Sequence, residues 1–199
     1  TQGLNVMLFS DNISVEDECA LKQLAAERGL ILMGPDCGTA YVQGIPIAFA
    51  NVVAKGHIGI VAASGTGLQE VAVQLSHADA GVSHGLGVGG RDLSDAVGGL
   101  STLTALDWLE QDSETHQVVL ISKPPGAATA AKIYARLRTY SKPVSVCFLG
   151  ATDAPDGIRN AATLEGVAAL ATTGAANTHA VSHAARAEAH PGLVAGLFC

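Results

Sequence analysis

The chain has 199 residues, 48% of them hydrophobic and 4% aromatic, and a formal net charge of −7. That supplies a sizeable core, in one large or two small domains. The acidic balance and the lack of a basic cluster argue against nucleic acid as a partner, and no apolar run approaches the roughly 20 residues of a membrane span.

The four cysteines (Cys19, Cys37, Cys147, Cys199) stand singly in apolar or Gly-rich surroundings, without metal-ligand spacing. This predicts a reducing, cytoplasmic setting, and no segment reads as a signal peptide. The chain opens without Met on Thr1-Gln2-Gly3-Leu4 and stops on apolar Gly196-Leu197-Phe198-Cys199, so it reads as a piece of a longer protein.

In chain order, Asn5–Ser10 reads as a buried strand. Ser14-Val15-Glu16-Asp17 resembles a capping box and opens a helix to about Arg28, which Gly29 ends. A second strand, Leu30–Met33, runs into the loop Gly34-Pro35-Asp36-Cys37-Gly38-Thr39, and Ile45–Phe49 is a candidate edge strand. From Lys55 the alternation restarts: strand Ile58–Ala62, helix Thr66–Ala78, strand Val82–Val88, helix Leu103–Glu110. Strand Val118–Ser122, helix Ala127–Thr139, strand Pro143–Leu149 and helix Thr163–Ala171 follow. Strands alternating with helices predict an α/β fold, a parallel flavodoxin-like sheet with right-handed βαβ crossovers. Residues 172–199 are Ala- and His-rich and read as a linker or helical arm.

Ligands of such sheets bind at the strand carboxyl ends, where four loops fall. The turn Ser64-Gly65-Thr66-Gly67 leads from an apolar strand into a helix. Its amides and the helix N-terminus favour a phosphate or carboxylate, and Ser64 and Thr66 add hydroxyls. The plainer alternative is a tight βα turn with Ser or Thr as N-cap. In Gly89-Gly90-Arg91-Asp92-Leu93-Ser94 the guanidinium of Arg91 could fork onto an anion, or pair with Asp92 to lock the loop. Lys123, before two prolines, is either a solvent-facing residue or a cation aimed into the crevice.

These loops, in this order, resemble those of the succinyl-CoA synthetase α subunit and related acyl-CoA synthetases. Gly34-Pro35-Asp36-Cys37-Gly38 is similar to their Gly-Pro-Asn-Cys-Pro-Gly loop, which closes a Rossmann-like CoA-binding domain. Gly59–Thr66 resembles their phosphate loop and Gly87–Gly90 their Gly-Ile-Gly-Gly segment. The closer resemblance is to the FdrA family, whose Met-Gly-Pro-Asp-Cys-Gly-Thr, Ala-Ser-Gly-Thr-Gly, Gly-Gly-Arg-Asp-Leu-Ser and Ser-Lys-Pro-Pro motifs occur at 33–39, 63–67, 89–94 and 122–125. The resemblance runs from about Leu4 to Ala171. It implies that residues 1–53 end a CoA-binding-type domain and that 54–171 form a succinyl-CoA-synthetase-type domain. Residues 172–199 would be a linker or the start of a further domain.

Two departures stand out. The synthetases carry phosphate on a His downstream of the last strand, and the corresponding stretch Gly157-Ile158-Arg159-Asn160-Ala161-Ala162-Thr163 has none. The Glu that holds their phosphohistidine corresponds to Lys123, a cation that would attract an anion directly. A four-residue insert in Arg91–Gly99 would bring Arg91 near the same pocket. The other histidines offer no substitute carrier: His57, His77 and His116 fall away from the crevice and His84 lies within a strand. His179, His183 and His190 are in the tail, where the His179/His183 pair fits an exposed arm better than a metal site.

The resemblance implies an enzyme subunit acting on an acyl phosphate without a phosphohistidine. In the FdrA setting of allantoin and purine catabolism, that is carbamoyl transfer between oxamate or oxalurate and phosphate. Lys123 and Arg91 would be catalytic, Ser64, Gly65, Thr66, Gly67, Gly89 and Gly90 would bind the phosphate, and Pro35, Asp36 and Cys37 would form the CoA-side loop. The alternatives are a nucleotide-dependent acyl-CoA synthetase and a non-catalytic ligand-binding subunit. CoA or a nucleotide is possible, no metal is expected, and the resemblance implies a homo-oligomer or a hetero-complex with operon partner subunits.

Overall fold

Ile58, Ile60, Val61 and Ala62 are all buried, so the strand carrying them is covered on both faces, as a central parallel strand must be. The computed structural model describes residues 2–151 and 153–173. The elements are β1 (Val6–Met7), α1 (Val15–Ala26), β2 (Leu32–Met33), β3 (Thr39–Val42), β4 (Ile45–Ala48), β5 (Lys55–Ala62) and α2 (Gly65–His77). Then come β6 (Val82–Gly87), α3 (Leu100–Gln111), β7 (Gln117–Ser122), α4 (Ala127–Leu137), β8 (Val144–Phe148), β9 (Arg159–Asn160) and α5 (Leu164–Thr173).

β1 and β2 form a small parallel sheet, and the other seven strands run in the order β4-β3-β6-β5-β7-β8-β9. All pairings from β6 to β9 are parallel. Counted from β5, these five strands take the doubly wound 2-1-3-4-5 order, as expected for a flavodoxin-like sheet. Leu106 and Leu109 of α3 and Ile133 and Leu137 of α4 pack on one face. Leu68, Val71 and Leu75 of α2 and Val167 and Ala171 of α5 pack on the other. That division follows from right-handed crossovers that reverse direction at β5.

Three features depart from the sequence reading. The strand around Asn5–Ser10 is shorter and not buried: Leu4 and Phe9 are 67% and 56% exposed, because β1 pairs only with β2. Residues 39–42, of which the sequence assigns only Thr39, as the end of a loop, form β3. It pairs antiparallel with β6 and, through the Gln43–Gly44 turn, with β4, which is the expected edge strand. β9, a two-residue strand, was also not legible. From residue 174 onward the predicted arm lies outside the described residues.

The small sheet is fixed to the large one through a buried charge network. Ser14 caps α1 by accepting from the Asp17 amide (3.0 Å), as the capping-box spacing predicts. One turn on, the buried Lys22 ammonium donates to Glu18 Oε1 (2.7 Å), Asp92 Oδ1 (2.7 Å) and the Val88 carbonyl (2.9 Å), which uses all three protons. Asp92 is saturated too: Oδ1 also accepts from the Ser101 amide, and Oδ2 from the Thr102 amide and hydroxyl. Asp92 therefore ties α1 to the start of α3. Lys22→Met would leave the buried Asp92 carboxylate without a cation and Glu18 with only the half-exposed Arg91, and should lower the unfolding free energy by about 3–5 kcal/mol in urea titration.

At the amino edge, buried His84 accepts from the Gln43 amide at Nδ1 (3.3 Å) and meets Trp108 edge-on. Its Nε2 lies 3.6 Å from Asp112 Oδ2. Burial pushes the imidazole below its ordinary pKa, opposed by the Asp112 charge and reinforced by Lys55. A His depressed in the folded state favours folding at neutral pH and loses that contribution as pH falls below about 6.5. The urea midpoint should therefore drop between pH 7 and 5, and His84→Gln should flatten that part of the profile.

Candidate functional site

The parallel register lines up three strand ends. Ala62 of β5 is level with Gly87 of β6 on one side and Ile121 of β7 on the other. Two residues further along each chain stand Ser64, Gly89 and Lys123, on strands about 4.8 Å apart. The strand order reverses at β5, and the crevice at such a switch point is where doubly wound sheets bind ligands.

The turn after β5 is built as a seat with an open floor. Ser64 is the N-cap of α2, and its Oγ accepts from the Gly67 amide (3.1 Å). The capping alternative therefore holds for Ser64. The Thr66 hydroxyl is 3.5 Å from Ser64 Oγ and exposed. A Cβ at Gly67 would come within 3.0 Å of Ser64 Oγ and 3.2 Å of Ile121, so this glycine serves close packing. A Cβ at Gly65 would meet only Thr39 Oγ1, at 3.6 Å. Gly65 and Thr66 are exposed at the first turn, where amides have no intrahelical acceptor. Gln69, one turn on, donates to Thr39 Oγ1 (3.2 Å) and the Phe49 carbonyl (2.6 Å), which fixes the β3–β4 hairpin beside the seat.

The loops after β2 and β6 pack against each other. The Gly34 amide donates to the Gly87 carbonyl (3.0 Å). Gly89, at φ 90°, approaches Pro35 so closely that a Cβ would lie 2.5 Å from the Pro35 carbonyl oxygen. Cys37 is buried under this contact and donates to the Thr39 carbonyl. Burial pushes its thiol up, which disfavours a nucleophilic thiolate. A cleft of about 200 Å³ opens between these loops, lined by Asp11, Pro35, Asp36, Gly90 and Arg91.

Arg91 does not pair with Asp92, whose oxygens are taken. Its Nη2 donates to the Ile13 carbonyl (2.8 Å) and lies 2.9 Å from Glu18 Oε2 in an ion pair without a well-aligned hydrogen bond. The guanidinium is about half exposed at the mouth of the cleft. Lys123 is exposed and has no polar partner among the described residues. The structure thus brings Gly89, Gly90 and Arg91 together with Pro35, Asp36 and Cys37. It sets Ser64, Gly65, Thr66 and Gly67 one strand from Lys123, while the Arg91 head points toward α1.

Sequence reasoning missed Asp95, Glu18, Lys22 and Gln69. Glu18 and Lys22 carry i,i+4 spacing, but that pattern normally marks a solvated pair, and nothing in the sequence shows their burial. Asp95 Oδ1 accepts from the Thr129 amide (2.9 Å) and hydroxyl (3.0 Å), capping α4 from another loop. A larger cleft of about 410 Å³, lined in part by Tyr140, Lys142 and Arg159, lies at the opposite edge. There the polar heads serve helix carboxyl ends: Lys142 donates to the Leu109 and Asp112 carbonyls, Tyr140 to Leu106 and Arg159 to Leu170. Among the described residues no three metal-ligating side chains converge. His179, His183 and His190 lie outside them.

Over 157 residues the chain is 34% identical to the succinate–CoA ligase [ADP-forming] α subunit of Methanothermobacter thermautotrophicus, a match covering 77% of this chain and 52% of that protein. Over this stretch the chain is homologous to the succinate–CoA ligase α subunits. It is also 57% identical over 152 residues to the uncharacterized protein YahF of Escherichia coli, covering 76% of this chain and 30% of YahF. It therefore spans 30% to 52% of the length of these relatives. No family model matches. Solved structures of the same fold include an ATP citrate lyase from Methanothrix soehngenii (TM-score 0.62, 18% identity, 86% of this chain and 30% of that one). Another is an acetyl-coenzyme A synthetase from Candidatus Korarchaeum cryptofilum (TM-score 0.53, 17% identity, 74% and 33%).

Proposed function

We propose that this chain is the phosphate-binding part of an FdrA-type enzyme subunit that acts on an acyl phosphate, with the anion held between the α2 N-terminus and Lys123. The observation behind this reading is the register that levels Ala62 with Gly87 and Ile121, each two residues before Ser64, Gly89 and Lys123. The Gly65 and Thr66 amides and the Thr66 hydroxyl face the anion, and Lys123 neutralises it. Arg91 keeps Nε and Nη1 without partners among the described residues, available to a substrate carboxylate in the adjoining cleft. In this division residues 1–53 close a CoA-binding-type domain, whose β3–β4 hairpin joins the large sheet through β6, and 54–171 form the synthetase-type domain of a larger subunit. That subunit works as a homo-oligomer or with partner subunits.

The chemistry we propose is carbamoyl transfer: oxalurate and phosphate give oxamate and carbamoyl phosphate, or the reverse. A phosphate oxygen bonds to the ureido carbonyl carbon, the C–N bond to oxamate breaks, and the oxamate nitrogen takes a proton. Such a reaction needs two reactants held together and a clamp on the developing oxyanion, not a covalent carrier. The reading draws on the resemblance, which matches Lys123 to a Glu of the synthetases, and on the lack of His in Gly157–Thr163. The second reading, nucleotide-dependent acyl-CoA ligation, is favoured by the similarity to succinate–CoA ligase α subunits. It requires a phosphate carrier supplied from outside these residues.

Phosphorus NMR of the full-length protein with its genomic neighbours separates the two readings. Carbamoyl phosphate consumed only when oxamate is present fits the first, and CoA-dependent ATP turnover with succinate replaces it with the second. Lys123→Ala should weaken the binding of phosphate-type ligands, and Arg91→Ala that of oxamate, each by about 1.5–3 kcal/mol in calorimetric titration, the range for charged hydrogen bonds. Unchanged phosphate affinity in Lys123→Ala removes the proposed phosphate site.

A further inference from the structure

The loop between β6 and α3 is anchored at two aspartates. Asp92 is fixed by Lys22 and by the first amides of α3. Three residues on, Asp95 reaches across to the α4 N-terminus, where Oδ1 accepts from the Thr129 amide and hydroxyl. The Leu93 carbonyl accepts from the Gly126 amide (2.9 Å), and the Ser94 carbonyl from the Thr129 hydroxyl (3.2 Å). Gly126 is packed so tightly on this loop that a Cβ would lie 2.2 Å from Asp95 Oδ1 and 2.7 Å from the Asp95 nitrogen. Because β6 and β7 flank β5, a loop tied to the end of β6 and to the helix after β7 must span the carboxyl end of β5.

The segment pinned by these contacts is the end of Lys123-Pro124-Pro125-Gly126. Two prolines restrict the backbone between Lys123 and the pinned glycine. The Lys123 backbone is therefore held from both sides, by the β7 ladder behind it and by the Asp95 bracket ahead.

We infer that Asp95 is a positioning residue for Lys123: it fixes the turn carrying the ammonium, so that an anion at the switch point meets a pre-set cation. This rests on the phosphate reading above. The sign of the effect separates positioning from charge. Asp95 is a solvent-facing carboxylate near a proposed anion site, so removal of its charge alone should tighten phosphate binding slightly. Loss of a positioning contact should weaken it.

The test is inorganic phosphate affinity of the full-length protein, measured for Asp95→Ala, Asp95→Asn, Lys123→Ala and the Asp95→Ala/Lys123→Ala pair, with urea midpoints confirming folding. Asp95→Ala is expected to weaken binding about five- to tenfold. Asp95→Asn keeps the Oδ1 acceptor and is expected to match the parent or bind up to about threefold tighter. In the Lys123→Ala background Asp95→Ala should add nothing, because it acts through Lys123. If both Asp95 variants tighten binding, or Asp95→Ala weakens it equally with and without Lys123, the positioning role is wrong while the phosphate site stands. If the parent binds no phosphate, or Lys123→Ala has no effect, the phosphate reading fails and the positioning role with it. If Asp95→Ala unfolds, Gly126→Ala serves in its place: it must displace the Asp95 contact, and should weaken phosphate binding only when Lys123 is present.

Discussion

The structure depends on the register of three parallel strands. β5 is hydrogen-bonded to β6 and β7 over its apolar half, and the ladders fix Ala62 against both Gly87 and Ile121. Ile60 and Val119 are buried in the core on one face of the sheet and Val61 and Leu120 in the core on the other, so a one-residue slip would exchange side chains between two packed cores. Packing on both faces therefore locks the register, and the register determines which loops leave the sheet together. The levelling of the β5, β6 and β7 carboxyl ends is a consequence of how the core packs.

A second constraint joins the two sheets. The β1–β2 sheet has little core of its own, and α1 buries a charged turn instead: Glu18 and Lys22 are 1% and 2% exposed. Replacing such a network by apolar side chains is often neutral for stability, so its presence argues for geometry. Asp92 receives the lysine and the first amides of α3, and the loop with Arg91 and Asp95 is thereby set relative to α1.

Most of the fold was legible in the sequence because the signals were local. Apolar runs bounded by glycine gave β5, β6, β7 and β8, and the Ser14 cap and Gly29 stop gave α1. β3 was missed because Thr39–Val42 follows a Gly-rich loop and is too short for periodicity, and it is a strand only because β6 and β4 accept it. The candidate site was legible as loops but not as contacts. Nothing in Arg91-Asp92 says that the first residue turns to Glu18 and the second to Lys22, since those partners lie about 70 residues away. The identity of the substrate acid likewise resides in contacts that no loop motif spells out.

The central claim is that an anion sits between the first turn of α2 and Lys123. Titration of the ¹⁵N-labelled protein with inorganic phosphate tests it most directly. Saturable shifts of the Gly65, Thr66 and Gly67 amides, lost in Lys123→Ala, are the predicted result. Shifts confined to other surfaces, or a Ser64–Gly67 turn that does not respond, would contradict it.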